Sequence, residues 1–387
     1  MEFILLKSCF GLPKFAYNLR TYNLINSPQL ITDFDHVVLN RLAGIISTTF
    51  NPHSPTWIQA ALPPSLSGLG ITSAADIASI AYLSSYVDSL PLQNKLTNNM
   101  PEIDLSKNII DFDTKSDISF ETYIETPAFK SSRSTQSILS QEIMKKKYQL
   151  LLDSTNNIAD KARILSCTGK YNGAWLDVVP LPSLGLAFTT SEFCGATCLR
   201  LGLDQTNNNT LCQMCFKHEM DTLGHHALNC KYGTEIIGRH DKITDIIFNQ
   251  CQQALLHPLK ENRYDKTLLN RADIEIPNWT LGKSALLDIG ITNPTCQTNV
   301  KKSATTPGHA LDKYENAKLL KYQDICENEN KICIPIISET FGKWSETSIA
   351  TLKKITKIIA QKNDKVIGTT FLQLMQRLSL SVQKSNV

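Results

Sequence analysis

The sequence predicts a mixed α and α/β protein with three parts: a helical N-terminal region, a small cysteine-rich knuckle and a C-terminal α/β domain. Apolar residues recur at helical spacing through the first 92 residues. Three cysteines and a histidine then gather within a short central segment. After residue 230, one helical pattern is followed by short alternating strands and by further helices, which is the order of a small α/β domain.

The N-terminal region, residues 1–92, has two stretches with apolar residues at helical spacing, around residues 30–46 and 74–90. The segment between them, residues 62–71, contains two prolines and two glycines, which mark a loop. We therefore expect two main helices joined by a turn.

Residues 93–135 are rich in Asn, Ser, Thr, Asp and Glu, and they predict a polar linker. Helical periodicity returns in a second region, residues 136–235, which also holds the knuckle. The C-terminal domain is expected over residues 236–387. Its predicted helices are 239–256, 308–327, 346–362 and 367–384.

Length and composition favour an intracellular protein with well-formed hydrophobic cores. The chain has 387 residues with 42% hydrophobic content, enough for two or three domains. Eleven cysteines at uneven spacing do not indicate a secreted disulfide scaffold. The first fifteen residues lack a secretory leader, and no run approaches the roughly 20 apolar residues that span a bilayer. We expect neither secretion nor membrane insertion.

The central cysteines have the spacing of a zinc site. Cys212 and Cys215 form a Cys-x2-Cys turn, and Cys230 follows within the same short segment. Three thiolates and one imidazole can complete a tetrahedral zinc shell with no open position, which indicates structural rather than catalytic zinc. The competing interpretation is a set of unligated thiols.

The fourth ligand is ambiguous from the sequence. His226 gives the spacing Cys-x2-Cys-x10-His-x3-Cys and is preferred, His225 is the alternative, and His218 is a third option. Cys194 and Cys198 lie in an apolar run, so we interpret them as buried core thiols rather than additional ligands.

Residues 271–292 predict a β-hairpin. Folding about Thr280 and Leu281 places Ile274 opposite Leu287 on an apolar face. One face of this hairpin is then core, and the other carries polar side chains.

The polar face carries acidic residues in opposed positions. Asp273 faces Asp288, with Glu275 and Thr292 on the same side. Opposed like charges destabilise a sheet by up to about 1 kcal/mol unless a cation neutralises them. Mg2+ bound by two carboxylates would do so and would support phosphodiester hydrolysis. The competing interpretation is an ordinary solvated hairpin face.

A nuclease of this kind also needs a lysine, which commonly lies two residues after the second acid. That position is Gly290, so the lysine must come from elsewhere. The following helix supplies Lys318 and Lys321, with Tyr322 beside them, and Glu261 is a further candidate for a metal or water contact.

Charge is unevenly distributed along the chain. The net charge is +3, but residues 231–387 carry 22 Lys and Arg against 16 Asp and Glu. A basic C-terminal part suits a phosphate backbone.

Together these motifs resemble the C-terminal half of the polyprotein of non-LTR retrotransposons with a restriction-like endonuclease. In that family a Cys-Cys-His-Cys zinc knuckle precedes a nuclease of the PD-(D/E)xK type. The resemblance runs from about residue 175 to the C-terminus. The matching pieces are Arg200-Leu-Gly202, Cys212-x2-Cys215, His226-Ala-Leu-x-Cys230, Arg239-His240-Asp241, Arg271-Ala-Asp273, Asp288, Lys318-x2-Lys321-Tyr322 and Glu339-Thr-Phe-Gly-x-Trp344.

The resemblance implies a restriction-endonuclease-like α/β domain that nicks target DNA. By it, Asp273 and Asp288 match the two metal-binding acids, and Lys318 or Lys321 matches the displaced lysine. Ala272 stands where the nuclease motif usually has proline. Expected cofactors are structural Zn2+ and catalytic Mg2+. Expected partners are DNA, element RNA and a separate or full-length reverse transcriptase, in the nucleus.

The N-terminal segments at residues 12–17 and 66–71 resemble the thumb-proximal end of the reverse transcriptase that precedes the knuckle in such polyproteins. The chain has no Asp-Asp dipeptide, so the carboxylates that bind the polymerase metals are absent and it cannot polymerise by itself.

Two rival hypotheses remain. One is a catalytically inactive nucleic-acid-binding remnant of a retrotransposon. The other is a host zinc protein that reads DNA sequence, but no helix shows a row of Arg, Asn or Gln suited to bases.

Overall fold

The computed structural model describes residues 1–52, 54–96, 103–126, 129, 134–205, 210–230, 232, 235–260, 272–280 and 282–387. These residues form two compact units, 1–155 and 156–387. The first is mostly helical, and the second holds the cysteine–histidine cluster and a mixed sheet with helices. At this level the predicted fold class is confirmed. No helix of the described ranges is long and apolar enough to cross a membrane.

Helix α5 is the centre of the first unit. It contacts α2, α3, α6 and α8, and the carboxylate of Asp35 accepts hydrogen bonds from the backbone amides of Ala74 and Ala75 at its N-terminus. The helices are α1 (Glu2–Leu5), α2 (Leu12–Thr21), α3 (Pro28–Ile45), α4 (Pro55–Ala61), α5 (Ala74–Leu96), α6 (Ser106–Lys115), α7 (Phe120–Ile124) and α8 (Thr135–Ser154).

The segment predicted as a polar linker, residues 93–135, contains helices α6 and α7. Phe112 and Phe120 are buried and their rings meet edge to face at 5.9 Å. Asp111 accepts a hydrogen bond from Ser79 of α5. These two buried aromatic residues therefore hold a polar sequence against the core. The boundary between the compact units falls after residue 155, not within residues 93–135.

The second unit contains all the strands of the described residues. Two of its predicted helices, 346–362 and 367–384, are confirmed with the same bounds. Its elements are α9 (Ile158–Cys167), α10 (Thr190–Leu201), β1 (Thr210–Leu211), β2 (Glu219–Met220), α11 (Glu235–Gln253), β3 (Leu259–Lys260), β4 (Ile274–Thr280), β5 (Lys283–Thr292), α12 (Val300–Ser303), α13 (His309–Asn328), β6 (Lys331–Glu339), α14 (Glu346–Lys362) and α15 (Ile367–Lys384).

A four-stranded sheet with order β3-β4-β5-β6 organises this unit. The first three strands pair antiparallel, whereas β5 and β6 pair parallel. Parallel neighbours need a crossover, and α13 lies in the segment that supplies it. Helices α11, α14 and α15 share the apolar core on one face, and α13 packs through Tyr322 on the other.

The hairpin register agrees with the prediction over most of its length. Ile274 pairs with Leu287, and the next two pairs keep the same register. The register then shifts, and Thr280 pairs with Lys283, so the turn lies one residue later than predicted. Asn278 has a positive φ of 51° after Pro277, which cannot donate to the ladder, so the strand bends there.

A buried acid ends the parallel strand pair. Glu339 is 1% exposed, and neither carboxylate oxygen has a hydrogen-bond partner within the described ranges. Burial raises the pKa of Glu339 to about 7, and the nearby Ser166 hydroxyl and Lys343 charge oppose this only in part. The folded protein therefore holds a proton at Glu339 more tightly than the unfolded chain does.

We predict that this acid makes the folded state less stable as pH rises. Folding raises the pKa of Glu339, so proton binding at Glu339 favours the folded state. This stabilisation is complete below about pH 4.5 and is lost as the pH rises through 7. Glu339→Gln should be more stable than the wild type by about 3 kcal/mol at pH 8, with the advantage shrinking below pH 5. Urea denaturation at both pH values measures this, and an equal advantage at both would contradict it.

Candidate functional site

The cysteine–histidine cluster consists of Cys212, Cys215, His226 and Cys230. Their ligand atoms all lie within 4.8 Å of one another. The sulfurs of Cys212 and Cys230 are 3.8 Å apart, and the Cys215 sulfur is 3.5 Å from Nε2 of His226. Sulfurs bound to one tetrahedral zinc lie about 3.8 Å apart, given Zn–S bonds of about 2.3 Å. The spacing therefore suits a structural zinc ion.

Backbone contacts orient the histidine. Asp221 follows β2, and its carboxylate accepts the backbone amides of both His225 and His226 at 2.9 and 2.8 Å. Gly224, with a φ of 75°, allows the tight turn between Asp221 and His225. This local network fixes the backbone from which the His226 ring reaches the sulfurs.

The structure selects His226 over the two other histidines. The His225 ring instead packs edge-on against Phe341 at 6.2 Å, and burial lowers its pKa. His218 contributes its backbone carbonyl to the amide of Cys212, at 2.8 Å. Cys194 and Cys198 lie outside the cluster, and Cys198 is buried.

The second group of side chains surrounds Asp273 and Asp288. Asp273 directly precedes β4, and its carboxylate accepts the backbone amide of Ile289 at 2.7 Å. Asp288 lies on β5 and is 4% exposed. Because Ile274 pairs with Leu287, the two acids stand at facing positions of the hairpin, as predicted.

Helix α13 supplies the groups that neutralise Asp288. Lys318 forms an ion pair with one carboxylate oxygen, and the Tyr322 hydroxyl donates to the other at 2.8 Å. The Lys321 amino group donates to the Tyr322 hydroxyl at 2.9 Å. Lys318 and Lys321 are thus both brought to the site, but only Lys318 contacts a carboxylate directly.

The pKa shifts on α13 follow from these contacts. Burial lowers the pKa of Lys318, but its hydrogen bond to Asp288 and the charges of Asp288 and Asp273 outweigh burial and raise it. Burial and the Asp288 charge both raise the pKa of Tyr322. Lys318 therefore stays charged and Tyr322 stays protonated, and both carboxylates act on the same lysine.

Gly290 explains why the lysine comes from the helix. A Cβ atom at Gly290 would lie 2.4 Å from the ring of Tyr314 and 2.9 Å from the side chain of Ile337. Helix α13 therefore sits directly on β5 at this position. Lys318, one turn after Tyr314, has its amino group 5.3 Å from the centre of that ring. The close approach leaves no room for a side chain at 290 and puts Lys318 at Asp288.

His240 completes the site, although the sequence analysis gave it no role. Its Nε2 lies 3.2 Å from Asp273 and its Nδ1 lies 3.1 Å from Asp241. The hydrogen bond to Asp273 raises the pKa of His240, with burial opposing. Burial raises the pKa of Asp273, but the His240 contact lowers it overall. The sequence could have placed His240 towards the core, because it lies three residues before Ile243 and seven before Ile247, which are on the buried face of α11.

Other predicted residues have different positions. Glu261 lies outside the described residues. Glu275 forms an ion pair with Lys331 of β6 at 3.1 Å. Within the described ranges, only the cysteine–histidine cluster brings three or more His, Cys, Asp or Glu ligand atoms close enough to hold one metal ion. No third protein ligand of this kind joins Asp273 and Asp288 there.

Comparison of the chain with models of known protein families and with curated proteins finds no match.

We predict that this chain carries a single zinc ion that depends on His226. His226→Ala removes one of four ligands and should bring the zinc content close to zero, because a knuckle this small is held by its metal. His225→Ala is the matched control and should keep its zinc, since that ring packs on Phe341. Elemental analysis of the purified variants decides, and zinc loss only in His225→Ala would contradict the assignment.

We also predict that Gly290→Ala destabilises the protein by about 1–3 kcal/mol, because the added methyl group overlaps Tyr314. Gly368→Ala is the control, since a Cβ there meets nothing within 4 Å. Its stability should change by no more than about 1 kcal/mol. Chemical denaturation of both variants measures the difference, and equal stability would mean that α13 does not pack so closely on β5.

Proposed function

We propose that this chain is the C-terminal part of a non-LTR retrotransposon polyprotein and acts as a metal-dependent endonuclease that nicks target DNA. The observation that carries the proposal is the pair Asp273 and Asp288 at facing positions of the hairpin, beside Lys318 of the crossover helix. The order of knuckle, paired acids and displaced lysine also agrees with the family resemblance. A mixed sheet with helices on both faces is compatible with a restriction-like endonuclease domain.

The donor set of the paired acids suits Mg2+. Mg2+ prefers carboxylate oxygens and keeps several waters, so one or two protein ligands suffice. Asp273 and Asp288 would hold it, with Glu261 as a further candidate. When bound there, Mg2+ would supply an activated water and stabilise charge on the phosphate.

The protein's own groups have separate tasks in this proposal. Lys318 carries a positive charge at the paired acids and would stabilise the extra negative charge of the phosphate during cleavage. Tyr322 holds Asp288 in one orientation by its hydrogen bond, and Lys321 holds the Tyr322 hydroxyl. His240 holds Asp273 from the opposite side through α11. Each acid thus has a basic partner from a different helix, Lys318 from α13 and His240 from α11.

The remaining parts would position the substrate. The cysteine–histidine cluster would bind structural zinc, and the basic C-terminal part would contact the DNA backbone. Element RNA and a separate or full-length reverse transcriptase are proposed partners, and the nucleus is the proposed location.

A second candidate is an inactive nucleic-acid-binding remnant. It is favoured by the contacts of the two acids, because Asp288 is paired with Lys318 and Asp273 is hydrogen-bonded to His240 without any metal. In that case the network would only stabilise the fold.

We predict that the zinc-loaded protein nicks supercoiled plasmid only when Mg2+ is added. Asp273→Asn and Asp288→Asn should each reduce nicking by at least about 100-fold, since each removes a proposed metal ligand. Asp324→Asn, an exposed acid on the same helix as Lys318, is the control and should nick normally. Gel analysis of the plasmid measures this.

Equal activity in the variants would indicate a contaminant. Absence of nicking by every protein, with DNA binding retained, would favour the inactive remnant.

A further inference from the structure

A cavity of about 390 Å3 lies between the cysteine–histidine cluster and the C-terminal segment. Cys212 and Cys230 form part of one wall, and Ser385 and Asn386 form part of another. Its volume is within the range of about 300–1,000 Å3 that is typical of small-molecule sites. The paired acids are not among its lining residues, so it is separate from the proposed reaction centre.

Arg239 of α11 lines this cavity and is 4% exposed. One guanidinium nitrogen donates to the side chain of Asn386 at 2.6 Å, and another to the carbonyl of Leu228 at 3.5 Å. Its Nε has no hydrogen-bond partner among the described residues. Among the residues that the structure describes, no carboxylate forms an ion pair with it.

A buried cation with only neutral partners is unfavourable unless an anion joins it. Burial lowers the pKa of Arg239 to about 10, so the side chain remains charged at neutral pH. Guanidinium groups bind phosphate through paired N–H donors, and Nε is one of these donors. The free Nε donor and the charge of Arg239 therefore suit a phosphate or a similar anion.

The remaining walls suit a flat apolar group. Met214, Met220 and Ile236 line the cavity, and methionine side chains adapt to irregular or planar surfaces. Phe216 does not line the cavity, but it lies two residues after Met214, and its ring is 70% exposed on a backbone with a positive φ of 50°. Such a strained and exposed aromatic residue is typical of a binding surface. Base stacking on aromatic side chains is a common way to hold unpaired nucleotides.

We propose that this cavity binds one unpaired nucleotide of a nucleic-acid strand, with its phosphate on Arg239 and its base against Met214 and Met220. The inference rests on the proposed function in that it takes nucleic acid as the partner. It adds a recognition site for single strands beside the knuckle, distinct from the carboxylates that would cleave.

Fluorescence anisotropy with a short single-stranded thymidine oligonucleotide, without added Mg2+, tests the site in the zinc-loaded full chain. Arg239→Met should weaken binding about tenfold, because it removes a charge-assisted contact. Arg377→Met is the matched control, since it removes one exposed positive charge from α15, and it should bind like the wild type. Unchanged affinity in Arg239→Met would overturn the inference.

A second pair of variants covers the case in which Arg239→Met does not fold. Met214 is 46% exposed at the cavity, so its replacement leaves the core intact. Met214→Glu places a negative charge against the nucleotide and should weaken binding about tenfold. Met214→Leu should bind normally. Equal affinity of the two variants would overturn the inference.

Thermal unfolding with small probes identifies the ligand class. Thymidine monophosphate should raise the unfolding temperature of the wild type but not of Arg239→Met, and thymidine should have no effect. If inorganic phosphate stabilises as much as the monophosphate, the base contact is wrong and the inference is overturned.

The outcomes separate this inference from the nuclease proposal. Arg239-dependent oligonucleotide binding without any plasmid nicking would overturn the nuclease and leave the nucleotide site standing. Mg2+-dependent nicking that needs both acids, with Arg239→Met binding like the wild type, would support the nuclease and overturn the nucleotide site.

Discussion

The buried ion pair between Asp288 and Lys318 is the contact on which the arrangement of the second unit depends. Asp288 lies on β5, the strand that pairs with both β4 and β6, and is almost fully buried. Removing one partner of a buried ion pair costs about 3–5 kcal/mol, so α13 must keep Lys318 in place. Gly290 lets the helix come that close. One charge requirement thus fixes the crossover helix, the parallel strand pair and the proposed reaction centre together.

Helix α11 connects the two candidate sites through neighbouring residues. Arg239 lines the cavity beside the cysteine–histidine cluster, and His240 contacts Asp273. The two sites offer different chemistry. Thiolates and an imidazole suit zinc, whereas carboxylate oxygens suit Mg2+. A structural ion that orders the knuckle would therefore also shape the cavity, whereas the Mg2+ ion that we propose would bind separately at the paired acids.

Much of this arrangement could be predicted from residue spacing. The cysteine spacing identified the cluster, and alternation along the hairpin placed Ile274 opposite Leu287. Contacts between distant segments could not be predicted. Phe112 and Phe120 anchor a segment whose composition indicates a linker. The spacing already favoured His226, but it could not show that the His225 ring packs against Phe341. The contact between Lys318 and Asp288 depends on how closely α13 approaches β5, and Gly290 permits this approach because it has no Cβ atom. Residue spacing does not give the distance between a helix and a strand.

The most direct test of the central claim is the location of a divalent ion in crystals of the zinc-loaded protein grown with Mn2+. Anomalous diffraction near the manganese absorption edge distinguishes that ion from zinc. We expect a manganese peak between the carboxylates of Asp273 and Asp288, and a zinc peak at the cysteine–histidine cluster. An empty carboxylate pair that keeps its contacts to Lys318 and His240 at saturating Mn2+ would contradict the account, because the acids would then serve only to stabilise the fold.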